Sequence, residues 1–241
     1  MRSWISGLLA AVAITATAAV ASASSLQVTP VNIEVPAPGA ASTVTLNNAG
    51  SESINAQIRI FKWVQRDGKD ELIPTRDVVA SPPAVKLVAG KKSVIRIVRM
   101  SKAPSVAEEA YRLVIDEVPK PPKPGSAGVG FAVRHSVPVF FSKFGADIEL
   151  SWKASVVKGQ LVLTASNSGG RRVRLSSLRV VNAGKTINVG QGLAGYVLGQ
   201  SSRVWAVKSG TKSVAPGGTI TILAQGDNGP IEARAKVQAS N

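Results

Sequence analysis

The chain has no cysteine in 241 residues. That removes a disulfide framework and any thiolate zinc site, so its cores must stand on apolar packing alone. Histidine is nearly absent too, with His135 the single one. One imidazole cannot supply the ligand cluster of a metal site or the partners of a general base. No G-x-S-x-G turn and no phosphate-cradling glycine loop before a helix occurs, and Ser201-Ser202 sits in no nucleophile motif. Aromatic residues make up only 5%. An exported chain with few aromatics lacks base-stacking platforms, so the net charge of +15 does not read first as a nucleic-acid interface. Acids are scarce, 14 against 29 Lys and Arg. The excess cations read first as solubility and protection of strand edges, and second as attraction to an acidic partner. Long amphipathic helical patterns are missing.

What is present begins with a leader. Arg2 forms a positive start, Gly7 to Val20 an apolar run, and Ala21 and Ala23 an A-x-A cleavage signal. Residues 1–23 are therefore expected to be a cleaved signal peptide. The run is too short and too rich in Ala and Thr for a membrane anchor. No later segment is long and apolar enough to span a bilayer.

Beyond the leader, strand signals dominate. TVTLNNAG at 43–50 alternates, and INAQIRIFKWVQRDGKD at 54–70 runs into an Asp-Gly turn with 72–79 able to pair back. KSVIRIVRM at 92–100 and AYRLVIDEV at 110–118 follow, and KPPKPGSAGVG at 120–130 reads as a loop. LQVTPVNIEV changes its apolar parity at Pro30, which suits a strand passing from one sheet of a sandwich to the other. A second β pattern begins after a boundary near Ser142 to Gly145, with Lys158-Gly159 as a hairpin turn. The fold class expected is all-β, with two β-sandwich domains over 24–143 and 144–241.

The order ELIPTRDVVASPPAVKLVAGKKSVIRIVRM, a polar insert, then EEAYRLVIDEVP resembles the N-terminal domain of the periplasmic pilus chaperones, the PapD-like family. The blocks Gly195-Tyr196-Val197-Leu198, Arg203 with Trp205, and Gly226-Asp227-Asn228-Gly229 are similar to its second domain. The resemblance implies two immunoglobulin-like domains meeting at an angle, with the cleft facing a pilus subunit. It implies no enzyme, no cofactor, no metal and no small-molecule substrate. The implied partners are pilin-like subunits and an outer-membrane usher. The implied location is the periplasm, with a free form that is monomeric or weakly self-associated.

In the family one strand is lent to a subunit that lacks its own last strand. Here that strand reads GVGFAVRHSVPVFF at 128–141. Val129, Phe131, Val133, Val137 and Val139 share one parity; Gly128, Gly130, Ala132, Arg134, Ser136 and Pro138 share the other. An extended chain puts these sets on opposite faces. The subunit-binding residues expected are Val129, Phe131 and Val133, filling a groove by β-strand addition. Alternation alone also fits an ordinary half-buried strand.

The family grips the subunit's terminal carboxylate with an arginine on the first strand and a lysine on the donor strand. The matching positions here are Asn32 and Pro138, and neither carries charge. This departure, with the Pro-Val-Phe segment, looks like the archaic or alternative branch. Candidate anchors are then Arg96, Arg99 and Arg134, with Lys143 near the hinge. His135 falls with the apolar parity and reads as a rim histidine. Asp227 reads as turn chemistry or, by resemblance, as one half of an interdomain ion pair with Lys143 or another base. The rival classes are an exported structural or adhesive β-sandwich and an exported hydrolase. A subunit would be shorter and single-domain, and a hydrolase would need a catalytic cluster.

Overall fold

A computed structural model describes residues 25–100, 106–119, 132–207 and 214–240. The leader, the 120–130 loop, Val129 and Phe131 lie outside the described residues. Among the described residues every helix or strand is a strand. The first ten are β1 (Leu26–Thr29), β2 (Ile33–Pro36), β3 (Ala41–Asn48), β4 (Ile54–Arg66), β5 (Lys69–Pro74), β6 (Val78–Ser81), β7 (Ala84–Leu87), β8 (Lys92–Arg99), β9 (Glu108–Val118) and β10 (Arg134–Ser142). The other seven are β11 (Leu150–Val157), β12 (Gln160–Asn167), β13 (Val173–Asn182), β14 (Lys185–Val197), β15 (Ser201–Ala206), β16 (Thr219–Gly226) and β17 (Gly229–Ser240).

The first ten strands form two sheets. One runs β1-β3-β8-β6; the other runs β2-β10-β9-β4-β5, with β7 on β4. Alternation decides which residues meet between them. Val44 and Leu46 of β3 and Ile95 and Ile97 of β8 join Leu113 and Ile115 of β9 and Val139 and Phe141 of β10, all fully buried. The parity change at Pro30 does what its pattern predicts. β1 pairs antiparallel with β3 in one sheet, and β2 pairs parallel with β10 in the other. Proline lacks the N–H that a continuous ladder would need there.

The Asp-Gly turn also forms as read. Asp67 and Gly68 both take positive φ (50° and 73°) between β4 and β5, the two-residue hairpin geometry such a pair favours. Lys158 and Gly159 repeat it between β11 and β12.

The second set of strands has its own core, which includes Leu161, Leu163, Leu175, Leu178, Val180 and Ile222. Strand β17 pairs with β16 up to Lys236 and with β11 from Val237 onward, so one strand serves both halves of this sandwich. The chain is thus all-β with two sandwich domains, and residues 143–149 connect their strands.

Candidate functional site: an open strand edge beside an interdomain cleft

Strand β10 holds the site together. It pairs with β9 over its whole length, Arg134 to Ser142. On its other side β2 pairs only with Val139 to Ser142. Among the described residues, Arg134 to Pro138 therefore present an edge with no strand beside it. Unpaired edges are templates for another chain. On one face, Val137, Val139 and Phe141 enter the first core. The opposite face carries Arg134, Ser136, Pro138 and Phe140, of which Phe140 packs against Tyr196 of the second domain. Val133 is half-buried just before the strand, and Ala132 is exposed.

At the far end of this face the two domains are fastened. Arg172, on the loop after β12, is buried with its side chain 2% exposed. Its guanidinium pairs with Glu108 of β9 and Glu34 of β2 and lies 3.6 Å above the Phe140 ring. The Glu108 carboxylate also accepts the Arg172 backbone N–H (3.0 Å) and the Ser142 hydroxyl (2.8 Å). Arg171 adds a second contact to Glu34. Sequence shapes this loop through Asn167, whose side chain donates to the Arg171 carbonyl at 2.6 Å and accepts from Gly169 and Glu149 N–H. A Cβ at Gly169 would strike backbone at 2.6 Å, so only glycine lets the loop pack this closely.

Three aromatics line the same seam. Trp63, Phe140 and Tyr196 form a cluster with ring centroids 5.3–5.9 Å apart. Gln65 bridges the domains by donating to the Tyr196 carbonyl (2.8 Å) and accepting from Leu198 N–H (3.0 Å). Asp70 pairs with Arg203, and the Gly68 carbonyl accepts Val204 N–H at 3.1 Å. Burial pushes the Asp70 carboxyl up, but its hydrogen bonds to Gln65 and Arg203 outweigh this and leave its pKa below the usual value.

Arg112 was not singled out in the sequence. It lies directly across from Pro138 on β9, the position where the family pattern puts a lysine one strand over. Its guanidinium stacks 3.7 Å from the Trp63 ring centre and stands 5.6 Å from Tyr196. Burial lowers its pKa, but a guanidinium keeps its proton at any physiological pH. No carboxylate forms an ion pair with it among the described residues. It is a half-buried cation in the cleft, held against aromatic rings with Asp70 acting on it only at a distance. The signal in sequence was the alternation of Arg112 with Tyr111 and Leu113; only register could set it beside Pro138.

The candidate anchors are scattered. Arg96 is exposed on the outer face of the other sheet, between Thr43 and Ser81, because Ile95 and Ile97 take the core side of β8. It stands on the far side of the sandwich from the cleft. Arg99 is buried and bidentate on Glu109, at 2.7 and 2.8 Å, with Tyr111 hydroxyl on the same carboxylate. Its charge is spent inside the first domain. Arg134 alone lies on β10; it shares Asp116 with Arg59 at the strand's open end, both at 2.5 Å. Burial raises the Asp116 carboxyl, yet the hydrogen bonds from Arg134 and Arg59 hold it below its usual value.

Other expectations move too. Asp227 pairs with Arg174 at 2.7 Å inside the second domain, so the interdomain fastening does not use it or Lys143. The fastening is inverted relative to the expected pattern, with the arginine on the second domain and the carboxylates on the first. His135 is half-buried on the apolar side of β10, and its Nε2 has no hydrogen-bond partner.

A two-domain immunoglobulin-like protein with an open strand edge at its cleft is built to bind a chain rather than to transform a small molecule. Residues 25–142 match the family model described as the pili and flagellar-assembly chaperone, PapD N-terminal domain. The chain belongs to this family of pilus-assembly chaperones and is not an enzyme. Among solved structures it is similar to the chaperone–tip subunit complex CsuC–CsuE, from the archaic chaperone–usher Csu pili of Acinetobacter baumannii. There identity is 27% over 88% of this chain and 99% of that one, with a TM-score of 0.68. The Salmonella enterica complex of the SafB chaperone with SafA pilin matches at 20% identity over 87% and 95%, TM-score 0.60. The Pseudomonas aeruginosa CupB2 chaperone matches at 18% over 86% and 98%, TM-score 0.54. The last two speak for the fold alone. No curated protein matches the sequence.

Proposed function

We propose that this chaperone acts in the periplasm. It holds pilin-like subunits there by lending them the start of β10, and it delivers them to an outer-membrane usher. The observation that carries the reading is the unpaired edge from Arg134 to Pro138. A subunit strand can add to that edge through main-chain hydrogen bonds, while alternate side chains fill its groove. Val133, with Phe131 and Val129 upstream in sequence, supplies the apolar row. Similarity to a chaperone solved with a tip subunit supports a subunit as the partner.

We place the carboxylate anchor at Arg112, with Arg134 at the mouth of the edge. Arg112 is a cleft cation with no ion pair among the described residues, and its planar fork can donate two parallel hydrogen bonds to a terminal carboxylate. Stacking on Trp63 holds that fork in place before the subunit arrives. Arg96 and Arg99 are left to surface solvation and to the first domain's interior.

The test is co-expression with a pilin subunit encoded beside it, followed by isolation from the periplasm. A soluble one-to-one complex is expected. Phe131→Asp should keep the melting temperature and remove the complex, and Ala132→Ser should leave both unchanged. Unfolding by Phe131→Asp would show the segment to be part of the chaperone's own core and end the strand-lending reading.

A further inference from the structure

Arg112 belongs to the first domain, yet part of what surrounds its guanidinium comes from the second. The fork lies 3.7 Å above the Trp63 ring centre and 5.6 Å from that of Tyr196. The two rings stand at 82° to each other with centroids 5.3 Å apart. Trp63 is thus a floor under the fork, and Tyr196 is a wall beside it. A floor alone leaves a planar cation free to turn, because attraction to a π face depends on distance from the ring and little on rotation above it. The wall removes that freedom. A terminal carboxylate needs it removed, since two parallel N–H···O bonds form only in one orientation of the fork.

Tyr196 is placed by its own domain and clamped to the other. The next residue, Val197, is fully buried in the second core. Gln65 of the first domain grips the backbone on both sides of Val197, through the Tyr196 carbonyl and the Leu198 N–H. The Tyr196 ring therefore stands beside Arg112 only while the two domains are in contact.

Arg203 of the second domain bears on the same place. The charge of Asp70 reaches Arg112 across the seam. That carboxylate is already taken, by an ion pair with Arg203 and a hydrogen bond from Gln65 at 2.8 Å. Two guanidiniums near one carboxylate compete for it. While Arg203 holds Asp70, the fork of Arg112 stays open to a carboxylate from outside.

We propose that the second domain readies the subunit anchor: Tyr196 orients the Arg112 guanidinium, and Arg203 keeps Asp70 from occupying it. This rests on the placement of the anchor at Arg112. Both are positioning residues that act through Arg112. An opened hinge takes the wall from the fork and releases Asp70 toward it, so the subunit carboxylate is gripped only by a chaperone with its domains closed. By linkage, a bound carboxylate also holds the domains closed.

The probe is a synthetic peptide with the C-terminal sequence of the pilin subunit encoded beside the chaperone, made as the free acid and as the C-terminal amide. By titration calorimetry the parent should bind the acid about tenfold or more tighter than the amide, and Arg112→Ala should bring this ratio near one. Tyr196→Leu, which fills the seam without a ring, should lower the ratio about threefold or more, and Tyr196→Phe should keep it. Arg203→Met should lower it too, and Arg203→Met/Asp70→Asn should restore it. The Arg203 side chain is 22% exposed, so these two variants serve if Tyr196→Leu misfolds. Side chains that only fill the seam would weaken both peptides alike and leave the ratio unchanged. A parent-like ratio in Tyr196→Leu and Arg203→Met, with Arg112→Ala still near one, would overturn the proposal and leave the anchor standing. Failure of Asp70→Asn to restore the ratio of Arg203→Met would overturn the part given to Arg203. Equal binding of acid and amide by the parent, or binding of neither, would displace the anchor from Arg112 and take the proposal with it.

Discussion

Removing Arg172 should uncouple the two domains. Its side chain is 2% exposed, as is that of Glu108, so the pair is out of water. In Arg172→Ala the Glu108 carboxylate keeps the Ser142 hydroxyl and one backbone N–H but loses its counter-charge. Breaking a buried ion pair from one side costs about 3–5 kcal/mol, because the remaining charge stays desolvated. The stacking on Phe140 contributes on the order of 0.5–2 kcal/mol within that loss. Exposed Glu34 adds little, because at 42% exposure water replaces the arginine. For a chain of this size each kcal/mol moves the melting temperature by about 2–4 °C, so a drop of roughly 6–20 °C is expected. Calorimetry should also show the single transition splitting, since the seam is what makes the domains melt together. Arg172→Met with Glu108→Leu should recover most of the loss, since a matched apolar pair carries no stranded charge. If Arg172→Ala melted within a degree of the parent, and its effect added to that of Glu108→Gln without coupling, the reasoning from burial would be refuted.

The other expectations test the cleft and its hinge. Arg112→Ala should leave the melting temperature nearly unchanged but weaken subunit capture by about 2–5 kcal/mol, with Arg112→Lys in between; normal capture by both variants would move the anchor to Arg134. Gly68→Val should loosen the seam, because a Cβ there would meet the Val204 side chain at 2.3 Å in a positive-φ turn, and small-angle scattering should report a more open particle. Acid should loosen it as well. Asp70 and Asp116 have pKa values lowered by folding, so their stabilisation is complete above the ordinary aspartate range and is lost as pH falls through the lowered values. Asp70→Asn should flatten that acid limb of a stability-versus-pH curve, and an unchanged limb would show that Asp70 does not couple the domains.

Much of this protein was legible from residue order. Alternation of apolar residues with turn pairs such as Asp67-Gly68 and Lys158-Gly159 determines strands and hairpins locally, because side-chain period and turn dihedrals are properties of the adjoining residues themselves. The parity change at Pro30 foretold the passage of the first strand between sheets for the same reason. The alternation of 128–141 marked β10, and the resemblance of the 71–119 block marked the chaperone family. Which cation stands beside which strand was not local. Arg96, Arg99 and Arg112 all look alike in sequence, each an arginine within an alternating apolar strand. Pairing register put Arg96 on the outer face of one sheet and Arg112 across from Pro138, and a glutamate ten residues away claimed Arg99. The Arg171-Arg172 pair read as a short basic run, yet the loop built on Asn167 and Gly169 carries it into a buried seam with Glu34 and Glu108. Contacts between residues 64 and 138 positions apart depend on how two finished domains meet, and only the tertiary structure decides that.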